Sequence, residues 1–150
     1  MNTVNPPAAP PTDVSPSGSG VVERLGFARE QVVQEFGYDS DVDDDFRYAV
    51  EDTCGTEIED DDYTGGADAV LLWWREGDGD LGDALVDMVG VLDDGGFVVL
   101  LTPKVAGDEV DPSDIDEAAV TAGLHTAGTF NAAPEWRAHK LVSPRTRVRR

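Results

Sequence analysis

The pattern of apolar and polar positions along the chain predicts strands and helices in alternation. Short apolar runs bounded by turn-forming residues predict strands, and apolar residues three and four positions apart predict amphipathic helices. An aspartate begins each predicted helix and a glycine ends it, as is usual for caps. The predicted strands are Gln31 to Phe36, Ala67 to Trp74, Phe97 to Thr102, Leu124 to Phe130 and Arg137 to Val142, and the predicted helices run from Asp41 to Gly55, from Asp80 to Gly95 and from Asp111 to Gly123.

Each predicted helix has one apolar face that we expect to pack on the sheet. The members of these faces are Val42, Phe46, Ala49, Val50, Thr53 and Cys54 in the first helix, Leu81, Ala84, Leu85, Met88, Val89 and Leu92 in the second, and Ile115, Ala118, Ala119 and Ala122 in the third.

Two features of the predicted strands determine the fold class. Ala67 to Trp74 is continuously apolar after Asp68, which is typical of a parallel strand with helices on both faces. Only a short stretch around Pro134 and Glu135 joins the last two strands, so we expect an antiparallel hairpin because a parallel crossover needs a longer connection. The sequence therefore predicts a three-layer α/β fold with a mostly parallel sheet and a C-terminal antiparallel hairpin.

The two ends of the chain differ in composition from the segment between them. Residues 1–20 are rich in proline and serine and are expected to be disordered. Residues 21–143 are expected to form a single α/β domain, and residues 144–150 are a basic tail that contains four arginines. We find no signal peptide and no apolar run near the ~20 residues that span a bilayer, so we expect a cytoplasmic protein without membrane contact.

Charge is the strongest feature of the composition. The chain has 31 acidic and 11 basic residues, which gives a net charge of −20. This charge disfavours nucleic acid as a partner and favours a basic protein, although the same charge also serves as a solubility device. A single cysteine, Cys54, excludes an intramolecular disulfide framework and a multi-cysteine zinc site.

Several blocks of sequence resemble known families. The run ADAVLLWWREGDGDLGDALVDMVGVLDDGGFVVLLTPK resembles the second half of a Rossmann-type S-adenosylmethionine-dependent methyltransferase. The blocks LGFAREQVVQEFGYDSDVDDDFRYAVED, ADAVLLWW, DGGFVVLLTPK and DPSDIDEAA together resemble the domain-of-unknown-function family 3052 of actinobacterial proteins. The second resemblance spans roughly Leu25 to Val142. It implies a reduced methyltransferase-like Rossmann fold and no assigned activity.

The turn after the first strand bears on whether a cofactor binds. A cofactor-binding version of this fold needs a glycine-rich turn, because glycine lets the backbone approach the ligand closely. The turn here, EFGYDSDVDDDF, has the single glycine Gly37 after Glu35 and then Tyr38. The segment from Thr56 to Tyr63 also lacks the apolar residues of a strand that could present an acidic residue to a ribose. We therefore predict no cofactor, and neither a dinucleotide fingerprint nor a P-loop lysine is present.

Two groups of aspartates resemble metal sites only in part. Asp41, Asp43, Asp45 and Asp52 match positions 1, 3, 5 and 12 of a calcium loop, but Phe46 stands where that loop requires glycine. Asp78, Asp80 and Asp83 lie at a predicted helix start, where capping explains them. We predict no metal site beyond weak cation binding by charge.

The remaining candidate residues indicate no catalytic centre. His125 and His139 lie on the predicted hairpin, and Cys54 is expected to be a core residue of a helix. No nucleophile-elbow motif is present.

The tryptophans are interpreted mainly as core residues. Trp73 and Trp74 are adjacent in a strand, so their side chains point to opposite faces of the sheet. Both are expected to be core anchors, with a binding role as the alternative, and Trp136 in the hairpin turn region is a candidate exposed contact for a partner.

Two functional hypotheses remain open. The first is a non-catalytic interaction or regulatory module that attracts a basic partner through its acidic surface. The second is an enzyme, either a divergent methyltransferase or one acting at the carboxyl edge of the sheet. Under the first, reversing the charges of Asp43, Asp44 and Asp45 should abolish partner capture and leave the fold intact, and the basic tail could pack on the acidic helix.

Overall fold

The computed structural model describes residues 19–104 and 109–143 and places five strands and four helices in that part of the chain. The helices are α1 (Ser19–Leu25), α2 (Asp44–Cys54), α3 (Leu81–Val91) and α4 (Pro112–Thr121). The strands are β1 (Val33–Phe36), β2 (Ala67–Trp73), β3 (Leu92–Pro103), β4 (His125–Ala133) and β5 (Trp136–Val142).

The five strands form one mixed sheet in the order β1-β2-β3-β5-β4. Strands β1, β2 and β3 are mutually parallel, and β5 is antiparallel to both β3 and β4. Strand β5 is thus the one antiparallel member among the described strands. The predicted α/β fold, a mostly parallel sheet with a C-terminal antiparallel hairpin, is confirmed.

The sheet separates two apolar clusters, as expected from the continuous hydrophobicity of β2. On one side, Ala69, Leu71 and Trp73 of β2 pack against α1 and α2. On the other side, Val70 and Leu72 pack against α3 and α4. The prediction of three layers is therefore confirmed, and Cys54 is a buried core residue of the first cluster.

Aspartates begin three of the helices, and their side chains accept backbone N–H groups. Asp43 accepts from Phe46, Asp80 from Asp83, and Asp111 from Ser113. The expected start of the first predicted helix at Asp41 is wrong, because Asp43 is the residue with extended backbone that caps it. Gly55 ends that helix in the left-handed conformation, as predicted.

The predicted C-cap at Gly95 is wrong. Helix α3 ends at Val91, and Leu92 already has extended backbone and pairs with Ala67 as the first residue of β3. The Gly-Gly pair that suggested a helix stop instead lies in an irregular start of β3, where Gly95 has a φ of 82°. Sequence reasoning found the left-handed glycine and assigned it to the wrong element.

Helix α1 was not predicted, since seven residues are too few for a clear periodic pattern. Its residues Val21, Val22 and Leu25 are buried in the first apolar cluster. Ser19 and Gly20, expected to be disordered, belong to this helix. The rest of the predicted disordered segment and the basic tail at 144–150 lie outside the described residues. Within residues 19–104 and 109–143, no helix combines the length and apolar character needed to cross a bilayer.

Candidate functional site

Strand β1 ends at the carboxyl edge of the sheet, and its next-to-last residue, Glu35, has a buried carboxylate. Glu35 is only 5% exposed and forms a two-pronged ion pair with Arg47 of α2, with nitrogen-to-oxygen distances of 2.7 and 2.9 Å. The indole N–H of Trp73 donates to the same carboxylate at 2.8 Å. The Glu35 hydrogen bond, partly offset by burial, raises the pKa of Arg47. We call these three side chains the buried triad.

Gly37 brings the turn into close contact with the end of β2. Its φ is 80°, and a Cβ atom at this position would lie 2.3 Å from the carbonyl oxygen of Trp73. Any other residue would both strain the backbone and collide with it. The single glycine of the turn is therefore required by packing within the chain.

A second arginine closes the turn from the side of β2. Arg75 forms an ion pair with Asp41 and donates to the carbonyl oxygens of Gly37 at 2.8 Å and Trp73 at 3.1 Å. The hydrogen bond from Arg75 lowers the pKa of Asp41. Burial is the largest single influence and opposes the charged form of Arg75, but the hydrogen bond and charge of Asp41, together with the charges of Asp78 and Asp39, outweigh it and raise the pKa of Arg75.

The tryptophans extend this network into the core. Trp73 packs edge-on against Trp136, with ring centroids 4.8 Å apart. Trp136 is 4% exposed and its indole N–H donates to the carbonyl of Asp41 at 3.0 Å, so the expectation of an exposed contact at Trp136 is wrong. It is the first residue of β5, where it faces the α1 and α2 side. Trp74 packs on the other side of the sheet, as predicted from the alternation of strand side chains.

A cleft of about 480 Å³ lies beside the buried triad. Its lining includes Gly37, Tyr38 and two aspartates, Asp60 and Asp61. The Arg47 guanidinium lies 4.8 Å from the centre of the Tyr38 ring, so Tyr38 stacks over the cation. The cleft is thus bounded by one internally paired cation and by carboxylates.

The segment expected to lack a strand contains a single parallel bridge. Glu59 pairs with Gln34 of β1, and Asp60 and Asp61 follow directly at the carboxyl edge. The side-chain amide of Gln34 donates to the carbonyl of Asp60 at 3.1 Å and to that of Tyr63 at 2.8 Å. A polar strand residue, rather than apolar periodicity, therefore holds this segment beside the turn. Periodicity could not have indicated it.

The aspartates of the calcium-loop pattern have separate roles in the described structure. Asp41 pairs with Arg75, and Asp43 caps α2. A different group of aspartates is clustered: Asp60, Asp61 and Asp62 are exposed, and their carboxylate oxygens lie within 4.8 Å of one another. Sequence reasoning did not single out this group, and exposed acidic groups of this kind are common without an ion.

Cys54 lies on the opposite side of the sheet from His125 and His139, which line the same groove against α4. Cys54 belongs to the α1 and α2 side, and burial raises the pKa of its thiol. His139 is buried on β5, where its Nε2 lies 3.0 Å from the hydroxyl of Thr102. Burial, together with the charge of Arg137, lowers the pKa of His139 to about 4. His125 is an exposed residue at the start of β4.

Comparison with a family model assigns the chain. Residues 22–145 match a family described as protein of unknown function (DUF3052). The chain belongs to this family. It is 45% identical over 131 residues to uncharacterised proteins of Mycobacterium tuberculosis and Mycobacterium bovis, covering 87% of this chain and 82% of each relative. The predicted membership of this actinobacterial family is confirmed.

Solved methyltransferase structures share the fold at low sequence identity. The mitomycin 7-O-methyltransferase MmcR superposes with a TM-score of 0.58 and 14% identity over 83% of this chain. This chain spans about half of that enzyme, 52% of its length. The CcbJ methyltransferase from Streptomyces caelestis gives a TM-score of 0.56 and 12% identity, covering 89% of this chain and 92% of CcbJ. The family member therefore has a methyltransferase-like Rossmann fold.

Proposed function

We propose that this family member is a cytoplasmic, non-catalytic interaction module on a methyltransferase-like scaffold. The observation that supports the proposal is the buried triad of Glu35, Arg47 and Trp73 at the turn where such folds bind their cofactor. These residues do not fit S-adenosylmethionine. A glycine-rich turn leaves space for the ligand next to the backbone, but here the chain's own side chains and the Trp73 carbonyl occupy that space.

The energetics of the triad oppose its displacement by a ligand. Separating a buried ion pair costs about 3–5 kcal/mol when one charge is left without its partner. The Trp73 indole N–H would lose its acceptor as well. A ligand entering the turn would have to replace each of these contacts, so we infer that the triad serves to keep the turn closed.

The surface around the closed turn is acidic. We define the acidic edge as Asp44, Asp45, Asp60, Asp61 and Asp62, which are exposed at the carboxyl edge of the sheet. In a chain with a net charge of −20, this edge attracts cationic groups and repels phosphate backbones. We infer a basic protein as the partner, with no part for nucleic acid or membrane.

Charge reversal at two matched places tests this function. One variant changes Asp44, Asp45, Asp60 and Asp61 to lysine, and the control changes Glu23, Asp52, Asp87 and Asp114, which are also exposed, to lysine. Both variants have the same net charge. We expect the immobilised control to capture the same basic protein as the wild type and the edge variant to lose it. Equal loss in both variants, or retention in both, would contradict a partner site at the acidic edge.

A second candidate function is a divergent methyltransferase or another enzyme acting at the same edge. One observation favours it: Asp60 and Asp61 line the cleft beside Gly37, where acidic side chains could accept hydrogen bonds from ribose hydroxyls. The ion pair of Arg47 with Glu35 at the same cleft weighs against it. Titration with S-adenosylhomocysteine separates the two candidates.

A further inference from the structure

A separate groove lies over the C-terminal hairpin, on the α3 and α4 side of the sheet. We call it the hairpin groove; its volume is about 730 Å³, and its lining includes Val110, Ile115, Val120, Thr129, Arg137 and His139. Helix α4 supplies one wall, and strands β4 and β5 of the C-terminal hairpin supply the floor. A groove of this volume, apolar on one wall and polar on its floor, has the usual character of a small-molecule site.

Arg137 on the floor of this groove lacks a counter-ion within the part of the chain that the structure describes. Its side chain is half-buried, yet no carboxylate or carbonyl there lies within hydrogen-bonding distance of its guanidinium. The half-buried Arg47 and Arg75 are both ion-paired. The five N–H donors of the Arg137 guanidinium are therefore available to a ligand that enters the groove.

Two neighbouring groups add polar contacts without adding charge. His139 is 5% exposed and, with a pKa of about 4, carries a neutral imidazole at pH 7. Its Nε2 is engaged by Thr102 at 3.0 Å, while the Thr129 hydroxyl lies 3.5 Å from its Nδ1. Thr129 is exposed, so its hydroxyl is accessible from the groove. The floor therefore offers the positive charge of Arg137 and the hydroxyl of Thr129, whereas the second lining hydroxyl, that of Thr126, already donates to Asp116.

We propose that the hairpin groove binds a small organic acid with one carboxylate and an apolar body. The planar guanidinium of Arg137 matches a carboxylate with two parallel hydrogen bonds. The apolar body would pack on Val110, Ile115 and Val120 of the wall. Asp116 in the lining and the overall charge of −20 oppose ligands with several negative charges, such as a nucleoside triphosphate.

The proposed site is independent of the proposed function. The acidic edge adjoins the turn after β1, at the opposite end of the strand order from the hairpin. A failure at one of these places leaves the other proposal intact.

The test is a titration of the full chain followed by two-dimensional amide NMR. The probes are benzoate, phenylacetate and 4-methylpentanoate, with benzamide as the neutral counterpart of benzoate. We expect at least one acid to give saturable shifts centred on Thr129, Arg137 and His139. We expect benzamide to bind at least about tenfold more weakly than benzoate, because it cannot form the charge-assisted pair with Arg137.

Two variants of equal charge complete the test. Arg137→Gln should weaken binding of the acid about tenfold or more, whereas Arg29→Gln, at an exposed arginine outside the groove, should change it by less than about twofold. The proposal is wrong if none of the three acids saturates by about 10 mM. It is also wrong if benzamide binds as well as benzoate in the wild type, or if both variants weaken binding equally.

Discussion

The two polar regions of this sheet differ in whether their charges are paired inside the chain. At the carboxyl edge over β1 and β2, Glu35 with Arg47 and Asp41 with Arg75 form two ion pairs. In the hairpin groove, Arg137 has no such partner among the described residues, and His139 is kept neutral by burial. A paired region stabilises a closed turn, whereas an unpaired donor remains available to a ligand.

This difference shows that a shared fold does not by itself indicate where this family member would bind a ligand. At the edge that binds the cofactor in methyltransferases, the charged groups of this family member are hydrogen-bonded within the chain. The hairpin groove, where the Arg137 guanidinium is available, lies in a part of the sheet where the fold resemblance predicts no ligand site. A fold-level analogy would therefore direct a ligand search to the closed region.

The largest expected effect comes from removing one charge of the closed region. Glu35→Gln leaves the half-buried Arg47 with only the exposed Asp44, 3.5 Å away, as a counter-charge, so we expect the free energy of unfolding to fall by about 3 kcal/mol. Chemical denaturation measures it. Asp45→Asn, at an exposed residue of the same helix, should change stability by less than about 0.5 kcal/mol. An equally small effect at Glu35 would mean that the triad is not a stabilising element.

The next effect tests the close approach of the turn. Gly37→Ala combines a left-handed backbone with a Cβ 2.3 Å from the Trp73 carbonyl, so we expect a loss of about 3 kcal/mol. Gly77→Ala is the matched control, because Gly77 has a φ of 97° with nothing within 4 Å of its Cβ position. It should lose about 1 kcal/mol, from backbone strain alone. Equal losses at both glycines would remove the argument for tight packing at the turn.

The third effect concerns the groove and depends on pH. The pKa of His139 is lowered from 6.5 to about 4 in the folded chain, so the unfolded chain binds the proton first as the pH falls. The contribution of neutral His139 to the free energy of unfolding is therefore fully present above about pH 6.5 and is lost as the pH falls from 6.5 to 4. We expect the loss to be about 2–3 kcal/mol.

Thermal or chemical unfolding of the wild type and His139→Gln across this pH range isolates the contribution of His139. The difference in stability between the two proteins should shrink as the pH falls toward 4, while carboxylates titrate alike in both. A constant difference across the range would show that His139 does not resist protonation.

The smallest effect distinguishes acidic residues that cap helices from those that form the surface. Asp43→Ala removes the N-cap bond to Phe46 and should cost about 1 kcal/mol, whereas Asp45→Ala should cost less than about 0.5 kcal/mol. Denaturant midpoints of the two variants measure this difference. If Asp45→Ala proves the more costly change, the assignment of Asp43 as the cap is incorrect.

Because Asp43 caps α2, changing it to lysine together with Asp44 and Asp45 is expected to destabilise the fold. The charge-reversal variant therefore leaves Asp43 unchanged.

The fold could be predicted from sequence because burial and capping leave local signals. The segment Ala67 to Trp74, continuously apolar after Asp68, indicated a strand covered on both sides, and Asp80 and Asp111 marked helix starts. The short connection at Pro134 and Glu135 indicated the hairpin. These features depend on neighbouring residues along the chain.

The site could not be predicted because its contacts join residues that are distant in sequence. Trp73 donates to Glu35 across 38 positions, and Trp136 donates to Asp41 across 95 positions. No local pattern reveals such pairs, and Trp136 was expected to be exposed for that reason. The missing partner of Arg137 is likewise visible only once β4, β5 and α4 are assembled.

The most direct test of the closed turn is calorimetric titration of the wild type with S-adenosylhomocysteine. We predict no saturable heat up to millimolar ligand, because Glu35, Arg47 and Trp73 satisfy one another at the position of the cofactor turn. Saturable binding at micromolar strength would contradict the proposed non-catalytic role and favour the divergent methyltransferase.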